Sequence, residues 1–220
     1  RTEESDPFDN GVGAGFANQI PGLTQAQIDQ VSQIAQSVYG FDTLGQIQNA
    51  NETDEKLVVK LDANIGEMHR ASLTYMRNVG TQQFQQNTST STTSPTLGLF
   101  SNGYELGEEV NAGVFQLNSD WSDNFSTELR VSYRDYNRDQ SPFGGNDFAQ
   151  MSVCLDPTST GNVASCSTGV PRVFFGPDNF RHVNELNTEN LSIDFTARTE
   201  IGSHSLRFLA GFTDISVANL

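Results

Sequence analysis

Apolar and polar side chains alternate with period two in six stretches of this chain. In Leu57–Ile65, the residues Leu57, Val59, Leu61, Ala63 and Ile65 share one face, and Val58, Lys60, Asp62 and Asn64 share the other. The split recurs at Ala71/Leu73/Tyr75 against Arg70/Ser72/Thr74, and at Phe115/Leu117/Ser119/Trp121 against Gln116/Asn118/Asp120. It returns at Thr127/Leu129/Val131/Tyr133 against Glu128/Arg130/Ser132/Arg134, and at Leu191/Ile193/Phe195/Ala197 against Ser192/Asp194/Thr196/Arg198. Leu206/Phe208/Ala210/Phe212 is the sixth, with Leu209 breaking its polar face. Period two is the signature of strands with two unlike faces, one suited to an apolar surrounding and the other to water.

The connections sort into two kinds. Gly66-Glu67-Met68-His69, Ser122-Asp123-Asn124-Phe125 and Gly202-Ser203-His204 are hairpin-sized. The segments 78–108 and 137–187 are dominated by Thr, Ser, Asn, Gly, Pro and Gln, and compact soluble domains seldom carry two structureless loops of that size. Short turns on one side and long loops on the other are the plan of an antiparallel transmembrane β-barrel. Nine residues of strand rise about 26 Å and, tilted near 40°, span roughly 20 Å, close to the ~25 Å apolar band of such a barrel. The expected strands are about 55–65, 70–78, 109–121, 126–136, 188–200 and 205–216, within a barrel segment of residues 54–220. Tyr75, Trp121, Phe125, Tyr133 and Tyr136 lie near strand ends, where aromatic girdles belong.

Residues 1–53 read as an outer loop, irregular up to residue 23, with one helix at about 25–38. Thr24 is its N-cap, Gln27 completes a capping box, Ile28, Val31, Ala35 and Val38 form the apolar stripe, and Gly40 ends it. A polar face of Gln, Asp and Ser argues against a membrane-surface helix and for packing against loops or a barrel wall. The chain opens on Arg1-Thr2-Glu3-Glu4-Ser5 with no signal peptide, and we read it as an internal fragment.

Charge changes the picture by exclusion. Lys and Arg number 12 against 27 Asp and Glu, a formal net charge of -15, which argues against nucleic acid or an anionic lipid surface as partner. The N-terminal quarter is strongly acidic; it reads first as a solvated loop, with attraction of cationic ligands or divalent ions as the sharper alternative. Cys154 and Cys166 have no His or Cys at metal spacing, so a local disulfide is preferred over free thiols, and zinc is not expected. His69, His182 and His204 share no metal spacing, and no nucleophile motif supports a catalytic triad, so neither metal, cofactor nor enzymatic activity is expected.

The stretches Gln36-Ser-Val-Tyr-Gly-Phe-Asp42, Asp54-Glu-Lys-Leu-Val-Val-Lys-Leu-Asp-Ala-Asn64 and His69-Arg-Ala-Ser-Leu-Thr-Tyr75 resemble TonB-dependent outer-membrane receptors of the Oar-like (OmpA-related) type. That resemblance implies a 22-stranded barrel with a plug in the bacterial outer membrane, importing a scarce solute with energy supplied through TonB. Its implied partners are outer-membrane lipid, the protein's own plug, the TonB system and a small solute or peptide. Neither a plug nor a TonB box is present in these residues, and six strands should form a curved, open sheet. On the polar strand faces, Lys60, Asp62, Glu128, Arg130, Arg134, Asp194, Arg198, Glu200 and Arg207 are expected to point into the lumen, where the resemblance makes them candidate contacts for plug or ligand. A passive porin is the competing reading, and a secreted β-rich adhesive domain a third.

Overall fold

The computed structural model describes residues 2–156 and 166–220. Its elements run β1 (Thr2–Pro7), β2 (Asn10–Gly11), β3 (Asn18–Gln19), α1 (Gln25–Tyr39), β4 (Asn49–Ile65), β5 (His69–Phe84), β6 (Thr96–Gly98), β7 (Tyr104–Ser122), β8 (Phe125–Pro142), β9 (Met151–Cys154), β10 (Arg172–Phe175), β11 (Glu185–Ile201) and β12 (His204–Asn219). A single seven-stranded sheet in the order β1-β4-β5-β7-β8-β11-β12 dominates, and every neighbouring pair in it is antiparallel. The sheet is open. Among the described residues, β12 has no partner along its outer side, and β1 covers β4 only from Asn49 to Asp54.

Each long strand turns back through a two- or three-residue connection at one common end, as the hairpin-sized gaps require. Ile65 pairs with His69, Ser122 with Phe125 and Ile201 with His204. The Gly202 turn has φ 61°, a left-handed conformation that glycine adopts without the Cβ clash other residues would meet.

At the opposite end the strands are longer than the alternation implies. The six meander strands hold 16 to 19 residues, about 55–65 Å of strand. β4 therefore begins at Asn49, inside the expected outer loop, and β7 and β8 extend through residues expected to be loop. Apart from Tyr104 and Leu106 these extensions are polar on both faces, so little apolar alternation marks them, yet backbone pairing continues because β4, β7 and β8 are flanked there by strands on both sides. Thr2–Pro7 is likewise strand, held against β4.

The expected structureless loops are ordered, as far as they are described; residues 157–165 of the second lie outside the described residues. They meet the α1 segment in a cap with its own hydrophobic core. Ile20, Leu23, Ile28, Val31 and Ala35 pack there with Leu97, Leu99, Val173 and Phe175. β6, β10 and β9 form a small sheet within it, so its apolar residues come from segments far apart in the chain. α1 has the expected capping box, the Thr24 side chain accepting from the Gln27 amide, and ends at Gly40 with φ 67°. Buried Asp178 fastens the loops to one another: its carboxylate accepts from the Asn87 side chain at 2.9 Å, and Asn102 donates to the Gly176 carbonyl at 2.8 Å. Satisfied buried polar groups of this kind fix one arrangement, since leaving any member without its partner is costly.

Candidate functional site

Registers of the six long strands decide which side chains share a face. Across the sheet, Leu61, Leu73, Phe115, Val131, Ile193 and Phe212 stand in one row, and Ala63, Ala71, Leu117, Leu129, Phe195 and Ala210 in the next. All six alternating stretches therefore place their apolar residues on the same face. That face is uncovered: Leu61 is 64% exposed, Phe208 60% and Phe212 56%. A contiguous apolar surface of this extent is abnormal for a water-exposed face, and such patches mark sites of contact with a protein or a membrane.

At the upper limit of the apolar band the row Val59–Tyr75–Gly113–Tyr133–Leu191 ends on Asp214 of β12, and the next row up holds Arg77, Asn111, Asp135 and Glu189 beside the apolar Leu57 of β4. Tyr75 donates from its hydroxyl to Asn111 Oδ1 at 2.8 Å, so the ring lies in the band and its polar tip in the zone above. At the lower end, the Trp121 indole donates to Thr127 Oγ1 at 2.9 Å and packs edge-on to His69, with Phe125 on the same face. From Tyr133 to Phe125 is about 27 Å along the strand. Tyr75, Tyr133, Trp121 and Phe125 thus border the band. Tyr136 does not: the register turns it to the opposite face, where its hydroxyl donates to Glu108 Oε1 at 2.6 Å. Its nearness to a strand end was misleading because the extra strand length beyond it leaves it mid-strand.

Above the band this same face is acidic. Glu55, Glu109, Asp135 and Glu189 project there, with Arg77 as the basic side chain among them, 3.6 Å from Glu55 and 3.2 Å from Glu109. The Glu109 carboxyl is held below its ordinary range chiefly by a hydrogen bond from Asn111, against the opposing effect of burial, with the Arg77 charge and hydrogen bond adding to the lowering.

The other face is mostly polar, with Val58, Met76, Leu209, Ile215 and Val217 as exposed apolar exceptions on β4, β5 and β12. It gathers Lys60, Asp62, Glu128, Arg130, Arg134, Asp194, Arg198, Glu200 and Arg207, all nine of the expected charged positions. Lys56, Arg70 and Arg138 join them, so most of the chain's 12 basic side chains stand here. Lys60 pairs with Asp62 at 3.0 Å, and Arg138 with Glu108 at 3.9 Å. A recess of about 340 Å³ opens between Lys60, Asp62, Asn64, Arg70, Gln116 and Asn118. The cap leans over this face, for the polar-face residues Tyr104 and Gln140 are buried and the Arg181 guanidinium lies 5.5 Å over the Tyr104 ring.

Cys154 at the end of β9 is joined to Cys166 by a disulfide, with their Cα atoms 5.7 Å apart. In the acidic N-terminal segment, Glu4 lies directly opposite Glu52. Among the described residues no group of His, Cys, Asp or Glu is arranged to hold a metal ion, and no helix is long and apolar enough to cross a membrane, which says nothing of crossing by strands. No family model matches the chain, and no curated protein or solved structure matches it either.

Proposed function

We propose that this chain is part of the wall and outer loops of a bacterial outer-membrane β-barrel, and that the whole protein is a TonB-energised receptor importing a scarce solute. The observation that carries the barrel reading is the uncovered apolar band, aromatic at both borders, on one face of an antiparallel meander whose short turns share one end. Lipid would cover the apolar face, the polar face would line a water-filled lumen, the hairpin turns would face the periplasm and the cap the exterior. The free edges of β4 and β12 would be paired by other strands of the barrel, since an exposed edge in lipid leaves backbone amides and carbonyls without partners.

The receptor reading is supported by the residue likeness at Gln36–Asp42, Asp54–Asn64 and His69–Tyr75. A cap folded inward over the polar face suits a gated receptor better than an open pore, and a plug and TonB would be the further partners. Planar bilayers test the choice with the full-length protein: a receptor shows no steady conductance, and its solute uptake in cells stops when TonB is deleted. Constitutively open channels and TonB-independent uptake would establish the porin in its place.

A further inference from the structure

Along β8 the polar face presents Arg130, Arg134 and Arg138, one every fourth residue and so about 14 Å apart along the strand. The outer and inner members have carboxylates to hand: Arg138 approaches Glu108 at 3.9 Å, and Arg130 stands directly opposite Asp194. Arg134 is different. Its cross-strand neighbours are Ala112 and Asn190, its diagonal ones Val110, Val114, Thr188 and Ser192, and Ser132 and Tyr136 flank it on β8. None is acidic. Among the described residues Arg134 forms no ion pair, its side chain is exposed, and its guanidinium lies 5.8 Å over the Tyr136 ring. The carboxylate two rows above, Glu108, is already engaged by Tyr136 and Arg138.

A guanidinium with hydroxyls and an amide on its β11 side, apolar Ala112, Val110 and Val114 on its β7 side, a ring beneath it and no carboxylate beside it can receive an oxyanion in its planar fork of donors. We infer that the polar face binds anionic solutes, carboxylates or phosphates, at Arg134, with Asn190, Ser132 and Ser192 as neutral hydrogen-bonding neighbours and Arg138 and Arg130 as the stations above and below. A net charge of -15 conceals this, because much of the acid of the sheet, Glu55, Glu109, Asp135 and Glu189, sits on the opposite face, and Glu4 and Glu52 of the polar face stand at its far end on β1 and β4. The assignment rests on the barrel reading only in that the polar face must be open to water.

The test is calorimetric titration of the purified full-length protein, in detergent at low salt, with citrate and with pyrophosphate; spermidine serves as a cationic control. Arg134→Gln should weaken binding of an oxyanion at least tenfold, Arg134→Lys should restore part of the loss, and Glu108→Gln, which frees Arg138, should tighten binding. Response of citrate alone or pyrophosphate alone would say which oxyanion class is accepted. Absence of binding to either probe, an unchanged affinity in Arg134→Gln, or a preference for spermidine would overturn the inference. Oxyanion binding through Arg134 in a protein that will not enter a bilayer would sink the barrel reading alone, and bilayer insertion with an Arg134→Gln variant that loses nothing would sink this inference alone.

Discussion

Charge placed on the two faces of one strand should have opposite consequences. Phe195 lies in the middle row of the apolar band, two rows below Tyr133 and two above Phe125, and is 42% exposed. If lipid covers the apolar face, Phe195→Arg would place a guanidinium near the bilayer midplane and should destabilise the folded protein by about 2–4 kcal/mol, a loss of roughly 30- to 900-fold in the folding equilibrium. Leu61→Arg, one row nearer the upper border, should cost somewhat less. Thr53→Arg stands on the same face but above the band, so its cost should be no more than about 1 kcal/mol. Thr196→Arg, adjacent to Phe195 but opposite Glu128 on the polar face, should be mild, as should Asp62→Asn. Urea titration of the full-length protein folded into lipid vesicles gives these differences. Equal costs for Phe195→Arg and Thr196→Arg would show that the faces are wrongly assigned, and a Thr53→Arg cost equal to that of Phe195→Arg would show that the band has no upper limit at Tyr75.

In intact cells, Cys introduced at Ser91 should react with an impermeant thiol reagent while Cys at Asp123 is protected; labelling at residue 123 but not 91 would invert the topology. The background is clean because Cys154 and Cys166 are bonded to each other. Leu97→Ala removes a fully buried side chain from the cap core and should cost about 2–5 kcal/mol, seen as faster amide exchange in α1, β6 and β10 with the lower halves of β5 and β7 unchanged. Since the folded-state pKa of Glu109 is depressed, its contribution to stability is complete above its unfolded value and is lost as the pH falls through the folded one; Asn111→Ala should move that loss to higher pH, read from carboxyl chemical shifts.

What the amino-acid pattern made legible follows from physics it encodes directly. Alternation such as Leu57–Ile65 gave the faces, because a one-residue slip would invert every side chain, and the registers keep all six stretches in phase. Thr24, Gln27 and Gly40 gave α1 through local hydrogen bonds. The upper halves of the strands were hidden, since Asn49–Lys56 is polar on both faces and is held as strand by its neighbours. The cap was hidden for a different reason: Leu97, Leu99, Val173 and Phe175 occur in short apolar runs whose partners lie far away in the chain. Arg134 was legible as a polar-face charge, but that it alone of the β8 arginines lacks a carboxylate beside it depends on cross-strand neighbours that only the register supplies.

The central claim is that lipid covers one face of this sheet and water the other. Nitroxide labels placed singly at residues 191 to 197 of β11, in the full-length protein reconstituted in a bilayer, test it through their accessibility to molecular oxygen and to a water-soluble nickel complex. The account predicts oxygen accessibility at 191, 193, 195 and 197 and nickel accessibility at 192, 194 and 196, with period two and greatest depth at 195. Nickel complex reaching both sets equally, or neither set showing depth in the bilayer, would contradict it.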